Sequence, residues 1–225
     1  MKRITVLLAD DNATVRKEYK KILEREKDIK VVGEAKNGRQ AVALVKKLLP
    51  ALVLMDMAMP LLNGAQATRE ILLARPATKV LMLSAHGDDA YVEVATNSGA
   101  LGYLIKQTSG ETVCNAIREV QKGNTFFSPA ISKRLSGRDQ KSLARMGQLK
   151  KRNNRLSSRE VEVLQLVAEG KPNKQVATEL GVSFKTIDKH RQHLMSKLNI
   201  HDIAGLTRYA IAQGIIESNV QMTIV

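Results

Sequence analysis

The first 122 residues alternate short apolar runs with amphipathic segments, and this alternation restricts the fold more than any other feature of the chain. The apolar runs span residues 4–9, 30–32, 52–55, 80–83 and 102–105. The segments that follow them have apolar residues at helical spacing and span residues 14–25, 39–48, 66–73, 90–98 and 111–122. Five strands that alternate with five helices predict an α/β domain, in which right-handed crossovers build a mostly parallel sheet covered on both faces.

The rest of the chain has a different pattern. Residues 125–155 lack sustained periodicity and are rich in Lys, Arg, Ser and Asn, which predicts a linker with a short helix near residues 141–149. From residue 156 onward the pattern is helical and contains no strand candidate. Since 225 residues exceed one ordinary domain, we expect an α/β domain at residues 1–124, the linker, a small all-α domain at 156–217 and a tail at 218–225.

The net charge of +14 predicts a polyanionic partner. The excess lies in the predicted linker, which has nine basic residues against one acidic residue. The predicted all-α domain has eight basic residues against seven acidic ones, so charge alone does not identify a nucleic-acid-binding domain there.

The sequence also indicates the compartment. Asp10 and Asp11 follow the first apolar run at once, which favours a strand over a signal peptide. No apolar run approaches the roughly 20 residues that cross a bilayer. A single cysteine, Cys114, excludes an internal disulfide and fits a reducing compartment. We therefore expect a cytosolic, cytoplasmic protein without a membrane partner.

Polar residues stand where the predicted strands end. Asp10 and Asp11 follow the first strand, Asp56 the third, Ser84 the fourth and Lys106 the fifth. The functional crevice of an open parallel sheet lies outside the carboxyl ends of its strands, so we expect these side chains to converge. Clustered carboxylates repel one another unless a cation is present, and Mg²⁺ is the hard divalent ion that such a cluster suits.

These motifs resemble the receiver domain of two-component response regulators over about residues 3–123. They are Asp10-Asp11, the run from Leu52 to Pro60, Ser84-Ala85 and the run from Gly102 to Lys106. The resemblance implies a flavodoxin-like, doubly wound sheet of five parallel strands. It also implies a sensor histidine kinase as partner.

The resemblance assigns a role to each residue of the crevice. Asp56 is expected to accept the phosphoryl group and, with Asp10, Asp11 and the carbonyl of Ala58, to hold Mg²⁺. Lys106 is expected to pair with the acyl phosphate and Ser84 to hydrogen-bond it. Tyr103 is expected to report that movement through its rotamer.

The second informative stretch predicts a helix-turn-helix. Ser157 or Ser158 can cap a helix, with Glu160 or Glu162 reciprocating, and Gly170 ends it. Further helices are predicted at residues 174–180 and 185–198, joined by a short turn that contains Gly181. Two helices joined in this way place the second in the major groove of DNA.

Residues 155–217 resemble the LuxR-type helix-turn-helix of the NarL/FixJ subfamily. The matching positions include Glu160, Gly170, Asn173-Lys174, Thr186, His190 and Lys197-Leu198. By this resemblance the second helix of the motif, residues 185–197, is the recognition helix. The expected phosphate contacts are Lys174, Lys185, Thr186, His190, Arg191 and Lys197, and the positions that face base edges are Asp188, Lys189 and Gln192.

Two assignments stay open at this point. Asp188 could accept a hydrogen bond from cytosine, repel the DNA backbone and so sharpen selectivity, or simply be a solvated charge. The last helix, residues 203–216, carries Leu206, Tyr209 and Ala210, which pair two DNA-binding domains in this family but could instead only close the small core. A metal site at the histidines of this domain is disfavoured, because no Cys or acidic partner stands at ligand spacing.

The leading hypothesis is a transcription regulator that is gated by phosphorylation, forms a homodimer and binds double-stranded DNA, with RNA polymerase as a further candidate partner. A regulator or interaction protein that works without phosphate is the alternative. An aspartate-nucleophile phosphohydrolase is disfavoured because it needs a second acid two residues after Asp56, where the chain has Ala58. A nucleotide-binding oxidoreductase is less favoured still, since no Gly-rich loop follows the first strand.

Overall fold

The computed structural model describes residues 3–135 and 156–216, which fall into two separate units, one in each range. The helix predicted near residues 141–149, most of the predicted linker and the tail at 218–225 lie outside the described residues.

The first unit is built on a parallel sheet with strand order β2-β1-β3-β4-β5-β6. Its strands are β1 (Ile4–Ala9), β2 (Ile29–Ala35), β3 (Leu52–Asp56), β4 (Lys79–Ser84), β5 (Gly102–Ile105) and β6 (Phe126–Phe127). The intervening helices are α1 (Ala13–Leu23), α2 (Gly38–Leu48), α3 (Gly64–Ala74), α4 (Asp89–Asn97) and α5 (Gly110–Lys122). The order reverses between β1 and β3, so a crevice is expected outside their carboxyl ends. The predicted α/β fold class is confirmed.

The sheet has six strands, one more than the five expected. β6 pairs in parallel with β5, where the N–H of Phe126 donates to the Leu101 carbonyl over 3.1 Å and the N–H of Ser128 to the Tyr103 carbonyl over 3.1 Å. A following helix, α6 (Pro129–Leu135), buries Ile131 completely. A two-residue strand is too short to show periodicity, so the sequence pattern assigned this segment to the linker.

Hydrophobic cores lie on both faces of the sheet, because successive strand side chains point to opposite sides. In β1, Leu7 and Ala9 belong to the core that α2 and α3 cover. Val6 and Leu8 belong to the core that α1 and α5 cover. With both faces covered, polar groups of the strands can reach solvent only at the strand ends.

The second unit contains four helices, as predicted, and no strand within residues 156–216. They are α7 (Ser158–Ala168), α8 (Asn173–Leu180), α9 (Phe184–Leu198) and α10 (Ile203–Ala212). α7 begins with a capping box, in which the N–H of Glu160 donates to Ser157 Oγ and the N–H of Ser157 donates to the Glu160 carboxylate. α10 and α9 pack against α7, which lies at the centre of the small core. Within the two described ranges, no helix combines the length and apolarity needed to cross a bilayer.

Candidate functional site

Three carboxylates meet at the carboxyl ends of β1 and β3. Each of Asp10, Asp11 and Asp56 offers an oxygen, and these oxygens all lie within 4.8 Å of one another. Asp10 and Asp56 are buried, with only 3% and 2% of their surface exposed, whereas Asp11 is exposed and forms the solvent side of the cluster. The convergence expected for the three aspartates is therefore present.

Lys106 partly neutralises this cluster. Its Nζ lies 2.9 Å from Asp10 Oδ2 and 3.0 Å from Asp56 Oδ1. Burial lowers the pKa of Lys106, but the charges of Asp56 and Asp10 and their hydrogen bonds outweigh burial and hold this pKa above its ordinary value. Three carboxylates and one ammonium leave a net charge of −2 on a donor set made only of oxygen, which fits a hard divalent cation such as Mg²⁺.

Ser84 and Tyr103 are connected through the backbone of His86. The fully buried Ser84 accepts a hydrogen bond on Oγ from the His86 N–H over 3.1 Å. The Tyr103 hydroxyl donates to the His86 carbonyl over 2.7 Å, and its ring is completely buried. The His86 ring stacks on Tyr91 of α4, with 5.2 Å between the ring centroids. His86 has the features of an ordinary loop residue in the sequence, and only the fold shows that it joins the two predicted sensing residues.

The loop after Asp56 is held tightly by backbone contacts. The Met57 N–H donates to the Leu83 carbonyl over 2.8 Å, and the Gly64 N–H donates to the Met57 carbonyl over 2.9 Å. A Cβ at Gly64 would lie 2.1 Å from the Asp56 carbonyl oxygen, so this approach requires glycine. Ala58 is half-buried within this loop, two residues beyond Asp56.

Arg16 is a site residue that the sequence reasoning missed. Its Nη1 donates to the carbonyl of Asp10 over 2.7 Å and to that of Asp11 over 3.2 Å. Its Nε lies 3.5 Å from Glu34 Oε2, and only 8% of the Arg16 side chain is exposed. One signal was available, because Arg16 shares a helical face with the buried residues Tyr19 and Leu23, where an apolar side chain is expected.

In the second unit, part of α9 carries polar side chains that reach solvent. Lys185, Lys189 and Gln192 are exposed, as is Lys174 on α8. Asp188 is half-buried, and its Oδ2 accepts a hydrogen bond from Gln192 Nε2 over 3.2 Å. Thr186 helps to begin the helix, with its Oγ1 2.8 Å from the Oγ of Ser183, the N-cap.

Other predicted contact residues are engaged within the domain. Arg191 donates to the Asn173 side chain at the start of α8. Lys197 Nζ pairs with Glu160 Oε2 at 3.0 Å, and His190 is half-buried. Arg191 and Lys197 therefore join α9 to α8 and α7, so the basic surface of α9 is smaller than the sequence suggests.

The residues expected to form a dimer interface divide into two groups. Leu206 and Ala210 are completely buried, which makes them core residues that fix α10 against α7. Tyr209 is half-buried and is the only one of the three that keeps accessible surface. For Leu206 and Ala210 the alternative interpretation, closing the small core, describes the structure, and a dimer contact through Tyr209 stays a prediction.

Comparison with known proteins gives the same two units. Residues 6–118 match the response regulator receiver domain, and residues 154–210 match the LuxR family of bacterial regulatory proteins. The chain belongs to the NarL/FixJ response regulators. A response regulator with this pair of domains is a DNA-binding transcription regulator controlled by phosphorylation, and its receiver domain implies a histidine kinase as partner.

Similar regulators match along most of their length. The transcriptional regulatory protein LiaR of Bacillus subtilis is 35% identical over 207 residues, which cover 92% of this chain and 96% of LiaR. DegU of Brevibacillus brevis is 33% identical over 211 residues, covering 89% of each chain.

Solved structures of response regulators are similar as well. RcsB of Salmonella typhimurium superposes with a TM-score of 0.60 at 26% identity, over 95% of this chain and 99% of that one. A structure of an RcsB–DNA complex superposes with a TM-score of 0.55 at 26% identity, over 93% of this chain and 98% of that one.

Proposed function

We propose that Asp56 accepts a phosphoryl group from a sensor histidine kinase and that the acyl phosphate controls DNA binding by the helical domain. The observation that carries this proposal is the position of Lys106, whose ammonium lies within 3.0 Å of both buried carboxylates, Asp10 and Asp56. An ammonium in that position can pair with a phosphoryl oxygen on Asp56 with little movement.

The transfer itself needs few protein groups. A carboxylate oxygen of Asp56 attacks phosphorus, a P–O bond forms, and the P–N bond to the donor histidine breaks with its electron pair leaving on the imidazole nitrogen. Asp10, Asp11, Asp56 and the Ala58 carbonyl would hold Mg²⁺, which would neutralise charge at the phosphoryl oxygens when bound. Lys106 stabilises the same developing charge from the buried side of the cluster.

The hydrogen bonds of Ser84 and Tyr103 with the His86 backbone support a step in which phosphorylation of Asp56 is sensed. The Ser84 hydroxyl accepts a hydrogen bond from the His86 N–H, so turning towards a phosphoryl oxygen on Asp56 releases that contact. The Tyr103 hydroxyl depends on the carbonyl of the same residue. We propose that phosphorylation shifts this pair between two arrangements and thereby changes the surface around α4 and β5.

DNA binding is assigned to α8 and α9. We propose phosphate contacts for Lys174 and Lys185 ahead of Arg191 and Lys197, since the latter two are bound within the domain. Thr186 and His190 remain weaker candidates. The proposed base-reading positions are Asp188, Lys189 and Gln192, and two recognition helices of a homodimer would read a two-fold site.

A DNA partner also implies a compartment and a further protein partner. We propose that the chain acts in the bacterial cytoplasm, where it could also contact RNA polymerase at the bound DNA. A hydrolytic enzyme is not proposed, because Ala58 provides no acid to protonate a leaving group.

The proposal is tested by footprinting on genomic DNA fragments, with and without beryllofluoride as a phosphoryl mimic, on the wild type and on Asp56→Asn. We expect the mimic to tighten binding of the wild type about tenfold and to leave Asp56→Asn unchanged. Glu24→Gln is a matched control, since Glu24 is an exposed carboxylate at the end of α1, away from the crevice and from α4, and it should respond like the wild type.

Two outcomes would contradict parts of the proposal. Equal binding in all cases would rule out gating and favour a regulator that works without phosphate. No protected fragment under any condition would contradict DNA binding itself.

A further inference from the structure

Phe184 leaves an aromatic side chain largely exposed on the folded helical domain. It is 57% exposed and is one of four large hydrophobic residues exposed among the described residues, with Leu49, Leu73 and Ile203. It is the first residue of α9, directly after the N-cap Ser183. Burial of a ring that projects from a surface helix contributes favourably only when a partner covers it.

The position of Phe184 on α9 indicates which partner could do so. Residues four apart lie on the same side of a helix, so Phe184 stands one turn before Asp188 and two turns before Gln192. The hydrogen bond from Gln192 to Asp188 shows that these two side chains share that side. The buried residues Ile187 and Leu194 face the core instead. Phe184 thus continues the stripe that is proposed to face base edges.

The charges beside Phe184 favour DNA over a second copy of the chain. Lys185 and Lys189 follow Phe184 on α9 by one and five residues, and both are exposed. Two such basic surfaces from copies of this helix would repel one another, whereas the phosphates along a major groove attract them. The N-terminal residues of a recognition helix are also those that reach base edges.

We infer that Phe184 packs against the C5-methyl group of a thymine in each half-site and so makes this regulator select thymine at that position. A phenyl ring has no hydrogen-bond donor or acceptor, and the thymine methyl is the apolar group that base pairs present in the major groove. The inference rests on the proposed DNA-binding function and adds a specificity residue that lies outside the polar positions assigned above.

The experiment removes the methyl group without changing any hydrogen-bonding atom. Duplexes that bind the full-length protein in the presence of beryllofluoride are selected from random DNA, and each thymine of the selected duplex is then replaced by uracil, one symmetric pair at a time. We expect the uracil replacement at one symmetric pair of positions to weaken wild-type binding by about fourfold for each half-site. This is the effect of leaving one methyl group unburied.

The variants identify the protein side of the contact. Phe184→Ala should bind the thymine duplex more weakly and be insensitive to uracil at that pair, while Phe184→Leu should keep part of the sensitivity because it is still apolar. Leu73→Ala is the matched control, since Leu73 is 85% exposed in the other unit, and it should behave like the wild type. Unchanged thermal unfolding of Phe184→Ala would show that the domain still folds.

Three results would overturn the inference. The first is that uracil leaves wild-type affinity unchanged at every position. The second is that Phe184→Ala keeps the full sensitivity to uracil, which would assign the methyl contact to another residue. Failure to select any duplex would contradict the proposed function and this inference together, and is thereby distinguishable from the first two results.

Discussion

The carboxylate pocket and α9, the proposed recognition helix, are organised in opposite ways. The pocket depends on contacts between residues far apart in the chain, such as Lys106 with Asp10 and Arg16 with Glu34. The polar face of α9 is organised by neighbours three or four residues apart, such as Ser183 with Thr186 and Asp188 with Gln192. The pocket is therefore a product of the fold, whereas the α9 surface is largely a product of local sequence.

The largest difference in destabilisation is expected between two glycine substitutions, one in each domain. Gly64→Ala would place a Cβ 2.1 Å from the Asp56 carbonyl, and we expect this overpacking to destabilise the receiver by about 3 kcal/mol. Gly181→Ala meets nothing within 4 Å and only strains a backbone φ of +63°, which should cost about 1 kcal/mol in the helical domain.

Urea unfolding of the full chain, followed by hydrogen exchange in each domain, measures both effects. Gly181→Asn is the control, since Asn tolerates the left-handed conformation and should recover most of the loss. Equal losses of unfolding free energy for Gly64→Ala and Gly181→Ala would contradict the expected difference between a position limited by tertiary packing and one limited by local backbone conformation.

The next prediction tests whether Mg²⁺ binding by the pocket depends on Arg16, a residue that is not among the proposed ligands of the ion. Arg16→Ala should lower Mg²⁺ affinity about tenfold or more, because it releases the backbone that carries Asp10 and Asp11. Arg16→Lys should recover little, since one ammonium cannot reproduce the paired donors of a guanidinium.

Isothermal titration with Mg²⁺, without any phosphodonor, measures this affinity directly. Lys20→Ala is the control, because Lys20 also pairs with Glu34 but its side chain is 43% exposed and does not contact the acidic loop. Unchanged Mg²⁺ binding by Arg16→Ala would limit Arg16 to a role in folding.

A smaller effect is expected from a substitution of Asp188, which tests the α9 side of the comparison between the pocket and the helix. If Asp188 accepts a hydrogen bond from cytosine, Asp188→Ala should reduce discrimination at one base pair by about fivefold. Binding to other sequences should tighten slightly, since a charge that repels phosphate is removed. Competition between duplexes that differ at single positions measures both changes, and identical preferences for Asp188→Ala and wild type would make Asp188 a solvated charge.

The smallest effect concerns Glu160, which joins α7 to α9 through its contact with Lys197. Burial raises the pKa of Glu160, but hydrogen bonds from Ser157 and Lys197 outweigh burial and leave this pKa below its ordinary value. Because the folded carboxylate binds a proton less readily than the unfolded one, its stabilisation is complete near neutral pH and is lost as the pH falls through the lowered pKa.

Glu160→Gln should therefore destabilise α7 by about 0.5 kcal/mol at pH 7, because Gln can still complete the capping box but loses the ion pair with Lys197, and it should have less effect in acid. Hydrogen exchange of the α7 amides at neutral and acidic pH checks this expectation. A loss for Glu160→Gln that is the same at both values would exclude a contribution from the ionised carboxylate.

Sequence reasoning was most successful where a pattern repeats or where a residue type stands at a strand end. The alternation of apolar runs predicted the α/β fold, and the strand-end positions of Asp10, Asp56 and Lys106 predicted a cluster that the structure contains. It missed β6, which is too short for periodicity, and Arg16, whose carbonyl partners carry no signal in the sequence. The assignment of Arg191 and Lys197 to DNA stays a prediction, and their contacts with Asn173 and Glu160 could not be read from the sequence, because a residue type does not show which partner its side chain meets.

By itself, the sequence determined the order of strands and helices, the helix caps and the residue types available at each strand end, since these depend on interactions between neighbours in the chain. Only the tertiary structure decided which polar side chains meet, that Lys106 lies between two buried aspartates, that His86 joins Ser84 to Tyr103, and that Leu206 is a core residue. Those outcomes depend on packing between distant segments, and burial and charge pairing have their effect only once these segments are close together.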